Sequence, residues 1–266
     1  MSLPRAKVFA FVYLLLATNA LTTFVGMAAL DHGWFYAALN LFDVSAIVWL
    51  GLVAGLMLLW QANGEPARPA DFAMLGLAIL AALLPVPSLS SAMLTLAALW
   101  GWRSASPTAP LRRASLILLS LTAFLLWGRI GLAWGAGPLL EGDARFVAIL
   151  SGMNSVGNSV YFTDGTTFLI APGCSSLHGI SLALILWTTA VQYFAIAPGR
   201  RVWLTLAMAV FGSVLVNGLR LSVIAWNPRE FDYWHVGTGG ALFGWLALIV
   251  ITGVVYRGLA DARRLV

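Results

Sequence analysis

Apolar residues run along this chain in long unbroken blocks. They show neither the alternation of a half-buried strand nor the one-sided stripe of a surface helix. Eight blocks can be drawn, at 8–30, 40–60, 71–85, 88–102, 111–136, 175–196, 202–226 and 234–256. Most approach the roughly 20 residues a helix needs to cross a hydrocarbon layer of about 30 Å. The pattern predicts an all-α polytopic membrane protein with about eight transmembrane helices, forming a single integral membrane domain over 1–266. The third and fourth blocks are short and are separated by Pro85-Val86-Pro87. They predict a tight helical hairpin or a broken re-entrant pair. The first block is longer than the apolar core of a signal peptide and lacks a small-x-small cleavage site, so it reads as a span.

The longest stretch outside the blocks runs from about 137 to 174, opening on Gly137-Pro138 and carrying Glu141, Asp143 and Arg145. Within it, Val160-Tyr161-Phe162-Thr163 and Thr166-Thr167-Phe168-Leu169-Ile170 flank Asp164-Gly165. Aspartate-glycine between β-rich runs signals a tight hairpin. A short external β-hairpin is therefore predicted, leading directly into Pro172-Gly173-Cys174.

Composition sharpens the class. Hydrophobic residues make up 61% of the chain, charged residues 9%, and the mean hydropathy is +0.90. A soluble domain of this length carries far more charge. The net charge of +5 and the pI near 9.9 do not point to nucleic acid, because the basic residues sit in tufts between apolar blocks. With the N-terminus in the cytoplasm, all fifteen Lys and Arg residues except Arg129, Arg145, Arg220 and Arg229 fall inside. The positive-inside rule selects that orientation, with both termini cytoplasmic.

The only cysteine, Cys174, stands where a polar segment meets the sixth apolar block. A lone cysteine excludes an internal disulfide and a cysteine-rich metal site. Ser175 or Ser176 is placed to cap the following helix, and a helix N-terminus favours thiolate, the nucleophilic form. Arg220 lies inside the seventh block, with Asn217 one turn earlier on nearly the same face. Arginine inside a span is costly, and its functional reading competes with a snorkelling one. Arg129, in the fifth block, is a similar case that periodicity alone does not rank against Arg220.

His235 opens the eighth block, and His178 is one turn beyond Cys174. The topology brings Cys174, Arg220 and His235 to the same outer boundary on three different helices. Nucleophile, cation and base at one depth form an acyl-transfer set. If Cys174 is the last residue before the helix, its thiol points into an external cleft that His235 approaches from across. That geometry favours His235 as the base over His178, which would then be a neighbour of the site or a substrate contact.

These motifs resemble the exosortase/archaeosortase family of membrane transpeptidases over roughly residues 155–250. Phe168-Leu169-Ile170-Ala171-Pro172-Gly173-Cys174-Ser175-Ser176-Leu177 resembles the hairpin and cysteine motif. Val216-Asn217-Gly218-Leu219-Arg220-Leu221 resembles the asparagine-x-x-arginine motif. His235-Val236-Gly237 with Phe243-Gly244-Trp245 resembles the histidine motif. The family usually has glycine where this chain has Ser176, and the position of His178 varies within it.

The resemblance implies a plasma-membrane cysteine transpeptidase that needs no cofactor and acts at the extracytoplasmic face. Its substrates would be exported proteins ending in a sorting signal of short motif, apolar helix and basic tail. They would pass through a thioester to an acceptor such as a membrane lipid or surface polymer. The alternatives are an intramembrane cysteine protease that transfers to water, a transporter using Arg129 and Arg220, and a scaffold whose hairpin binds a partner.

Overall fold

The structure is a computed structural model describing residues 3–62, 65–162 and 166–263, with side chains to residue 260. It is mostly helical. In chain order the helices are α1 (Arg5–His32), α2 (Trp34–Leu39), α3 (Ala46–Gln61), α4 (Pro69–Leu83), α5 (Pro87–Ser104), α6 (Pro110–Thr122), α7 (Gly128–Ser151), α8 (Leu177–Tyr193), α9 (Arg200–Trp226), α10 (Phe231–His235) and α11 (Thr238–Arg263). Proline opens α4, α5 and α6, where its missing N–H has no intrahelical partner to lose and its fixed φ suits the first turn. The short link between α4 and α5 turns Pro85-Val86-Pro87 into a helical hairpin. Among the described residues, four helical segments are long and apolar enough to cross a membrane: Arg5–His32, Pro110–Ser151, Arg200–Trp226 and Thr238–Ala260. Helices α3, α4 and α8 are apolar but shorter. This is the architecture of a helical membrane protein.

The chain divides into two compact units, 1–127 with 185–197, and 128–184 with 198–266. In the first, α1 packs against α3, α4 and α5. Its charges are not all at the surface. Arg5 is buried, with its guanidinium bidentate on Asp71 at 2.8 and 3.1 Å. Arg113 donates to the carbonyls of Gln192 and Tyr193, satisfying the last turn of α8.

The second unit holds every residue of the predicted acyl-transfer set. Helix α9 packs against α7 and α11. Gly218 allows the close approach to α7, since a Cβ there would stand 2.6 Å from the ring of Phe146. The sheet is a meander of three strands, β1 (Asn154–Val156), β2 (Ser159–Tyr161) and β3 (Thr167–Leu169), antiparallel throughout. The β2–β3 pair corresponds to the expected hairpin, and its Asp164-Gly165 turn lies outside the described residues. The sequence reading missed β1. It joins β2 through Gly157 at φ +57°, a left-handed turn position suited to glycine.

The boundary expected at Gly137-Pro138 is not where helix ends. Helix α7 continues to Ser151, with non-helical backbone at Gly135 (φ −131°, ψ 22°) just before the proline. Leu140, Ala144, Val147 and Ala148 recur at helical spacing and are all buried. Burying that stripe outweighs the single backbone bond that proline removes. The segment leading to Cys174 therefore begins near 152, not 137.

Candidate active site

Cys174 ends a short 3-10 turn, Pro172–Cys174, closed by its own N–H on the carbonyl of Ala171 at 2.9 Å. The side chain belongs to an apolar cluster that ties the sheet to the helices: Val160, Phe168 and Ile170 on one side, Leu140, Ala144 and Leu221 on the other. Cys174 is 3% exposed, which corrects the expected open cleft. The physical reason is the inward alternation of Val160 and Phe168, whose face the turn folds onto. Open space begins next door. Gly173 is exposed, and nothing stands within 4 Å of where its Cβ would be.

Four interactions fix the turn. The Oγ of Ser175 accepts the N–H of Leu177 at 3.2 Å, capping α8. Ser176 contributes its backbone, its N–H donating to Oδ2 of Asp143 at 3.0 Å. The Nδ2 of Asn217 donates to the carbonyl of Cys174 at 2.9 Å. Finally, Cys174 Sγ lies 3.0 Å from Nε2 of His235. The ring of His235 stacks on Phe231 at 4.7 Å, and Phe231 meets Phe168 of β3 edge-on at 6.1 Å. The imidazole is thus oriented by the same strand that delivers the cysteine.

Arg220 is half-buried on α9, one turn beyond Asn217, and its Nε is buried with no hydrogen-bond partner. No acid forms an ion pair with it among the described residues. Its charge reaches both Cys174 and His235. Burial, followed by the Arg220 cation, pushes the His235 imidazole below its ordinary value, against the opposing pull of Asp232. His235 is therefore neutral at neutral pH and available as a proton acceptor.

His178 is directed elsewhere. It is exposed and lines a cavity of about 130 Å³ with Ser175, Asn217, Arg220, Phe243 and Gly244. Neither Cys174 nor His235 lines that cavity. The helical spacing that put His178 on the face of Cys174 does not apply, because α8 begins only at Leu177. Arg129 is not brought to the site. It is exposed near the start of α7, fourteen residues before Asp143, which is about 21 Å of helix.

Asp143 is the residue sequence reasoning did not single out. It is 7% exposed, and the Ser176 N–H it receives is equally shielded. Its signal was an acid three residues after Leu140 and four before Val147, on the side of the buried stripe, obscured by the expectation of a loop there. Asp143→Ala is expected to cost about 1–3 kcal/mol by stranding a buried donor. Amide exchange at Ser176 should rise by more than at α9. Unchanged protection there would mean Asp143 does not hold the turn.

Fold and site together define a helical, membrane-type protein carrying a buried cysteine in contact with a half-buried histidine, beside an arginine whose Nε has no partner among the described residues. No family model matches the sequence, and neither a curated protein nor a solved structure matches it.

Proposed function

We propose that this protein is a membrane-embedded cysteine transpeptidase of the exosortase type. In this reading the chain crosses the membrane eight times, with its site at the extracytoplasmic face. The observation that carries it is the 3.0 Å contact between Cys174 Sγ and His235 Nε2, made by residues 61 positions apart. Supporting it are the buried Nε of Arg220 and the Asn217 bond to the Cys174 carbonyl.

His235 takes the thiol proton through Nε2 while Sγ attacks the peptide carbonyl and forms the C–S bond. The carbonyl oxygen gains the negative charge, and the Arg220 guanidinium holds it where water is scarce. Collapse breaks the C–N bond, and His235 returns its proton to the leaving amine. A thioester remains on Cys174. An acceptor amine then repeats the steps in reverse, or water does so, giving a protease.

The substrate in this reading is an exported protein with a C-terminal sorting signal, and the acceptor is a lipid or surface polymer. Incubating such a substrate with the purified protein and trapping the intermediate should give a Cys174 acyl adduct by mass spectrometry. Processing without any adduct would remove the covalent mechanism.

Arg220→Lys is expected to be nearly as damaging as Arg220→Ala. Guanidinium offers a rigid planar fork of donors, and lysine a point charge on a flexible stem. Removing one oxyanion donor costs about 10²–10³ in kcat. Near-normal turnover in the lysine variant would show that Arg220 supplies charge alone.

A further inference from the structure

We propose that an extended peptide adds as a fourth strand to the open edge of β3, which delivers it to Cys174. The proposal rests on the reading of Cys174 as a nucleophile and says how the substrate main chain is held. Strand β3 is last in the order β1-β2-β3. At one end of its ladder the N–H of Phe162 donates to the carbonyl of Thr166, and at the other the N–H of Ile170 donates to the carbonyl of Asn158, both at 2.9 Å. Hydrogen-bonded pairs recur at every second residue of an antiparallel ladder, so Val160 and Phe168 form the pair between these ends. Thr167 and Leu169 fall at the intervening positions, and their N–H and C=O groups turn away from β2. Neither residue makes a hydrogen bond to any described residue outside that pairing, and both are exposed.

Donors and acceptors repeating every two residues match another extended chain. The line continues past the strand. Ala171 is extended (φ −85°, ψ 162°), and Ala171, Pro172 and Gly173 are exposed up to the thiol. From Leu169 to Cys174 is five residues, at most about 18 Å, the reach of a short peptide. The inward side of the strand bears on the chemistry, because Phe168 meets Phe231 and Phe231 stacks on His235. A peptide seated on the outer edge therefore lies along the element that also orients the base. Recognition through main-chain bonds tolerates many side chains, which suits a site serving several substrates.

The test uses the full chain in detergent and two probes: acetyl-tetraalanine chloromethyl ketone, and the same compound N-methylated at alternate residues so that it cannot pair. Alkylation of Cys174 is followed by mass spectrometry. The unmethylated probe should react about tenfold faster, the size expected of two net main-chain hydrogen bonds. Leu169→Pro removes one outward N–H and leaves the β2 ladder intact, since edge positions tolerate proline. It should abolish the advantage, and Leu169→Ala, which keeps the N–H, should retain it.

Equal rates for the two probes in the unaltered protein would overturn the proposal whether or not the proline variant folds. So would a folded Leu169→Pro variant that keeps the advantage or slows both probes alike. A shift from dimer to monomer in that variant, with the advantage unchanged, would assign the edge to a second copy of this chain. Alkylation by both probes no faster than in His235→Ala is a different result, one that removes the nucleophile reading and the proposal with it.

Discussion

Cys174→Ala is expected to leave a folded protein that forms no acyl adduct and releases no processed substrate. The fold should survive because the cysteine is a small member of an apolar cluster, and a methyl in place of the thiol keeps most of its contacts. Activity should not survive, because no other described side chain at the site offers a nucleophile in contact with His235. Losing the nucleophile of a unit that acts together costs on the order of 10⁶ in kcat. Cys174→Ser should be nearly as inactive, since a hydroxyl needs stronger help from its base than a thiol. The measurement is a mass spectrum of a C-terminal sorting substrate after incubation with each variant, alongside a thermal melt. Substantial processing by a folded alanine variant would end the assignment.

His235→Ala carries the second-largest effect. General acid–base catalysis contributes about 10²–10⁴-fold, and here one imidazole serves both half-reactions. His178→Ala should lose far less, because His178 lines the neighbouring cavity and not the thiol. The pH profile adds an independent reading. A base must be neutral to accept a proton. Burial and Arg220 hold His235 below its ordinary value of 6.5, so the acid limb of the profile should fall below that pH. Removing the Arg220 cation should move that limb upward, toward higher pH, in whatever activity remains. An acid limb that stays put in Arg220→Gln, or a His178→Ala loss exceeding that of His235→Ala, would reverse the roles of the residues.

Much of this molecule was legible in its one-dimensional pattern. Each of the eight blocks has a helix as its counterpart, though that of block 88–102, α5, is less apolar than the rest, because long runs poor in charge leave the backbone few options but to satisfy its own hydrogen bonds. Proline marked the starts of α4, α5 and α6 for a purely local reason. The β2–β3 pair followed from β-branched and aromatic residues flanking a turn dipeptide. The sequence likewise singled out Cys174, Arg220 and His235, since a thiol, an arginine within an apolar block and a histidine are conspicuous against so apolar a background.

Tertiary packing decided the rest. Helix α7 runs on through Pro138 because the Leu140 stripe finds a core to bury itself in, a fact about partners distant in sequence. That continuation carries Asp143 to the Ser176 N–H and turns an ordinary surface acid into a clamp on the cysteine turn. Asn217 proved to hold the Cys174 backbone, a role no spacing reveals. Arg5, counted among the interior-facing surface charges, is buried on Asp71. The choice between two histidines was tertiary as well. His178 is four residues from Cys174 and His235 is sixty-one, yet it is the ring of His235 that lies 3.0 Å from the thiol. Sequence by itself determines which segments leave water and which side chains have chemistry to offer. Which of those side chains meet depends on the depth and rotation of separate helices, and these are set by packing contacts between residues that the chain order keeps far apart.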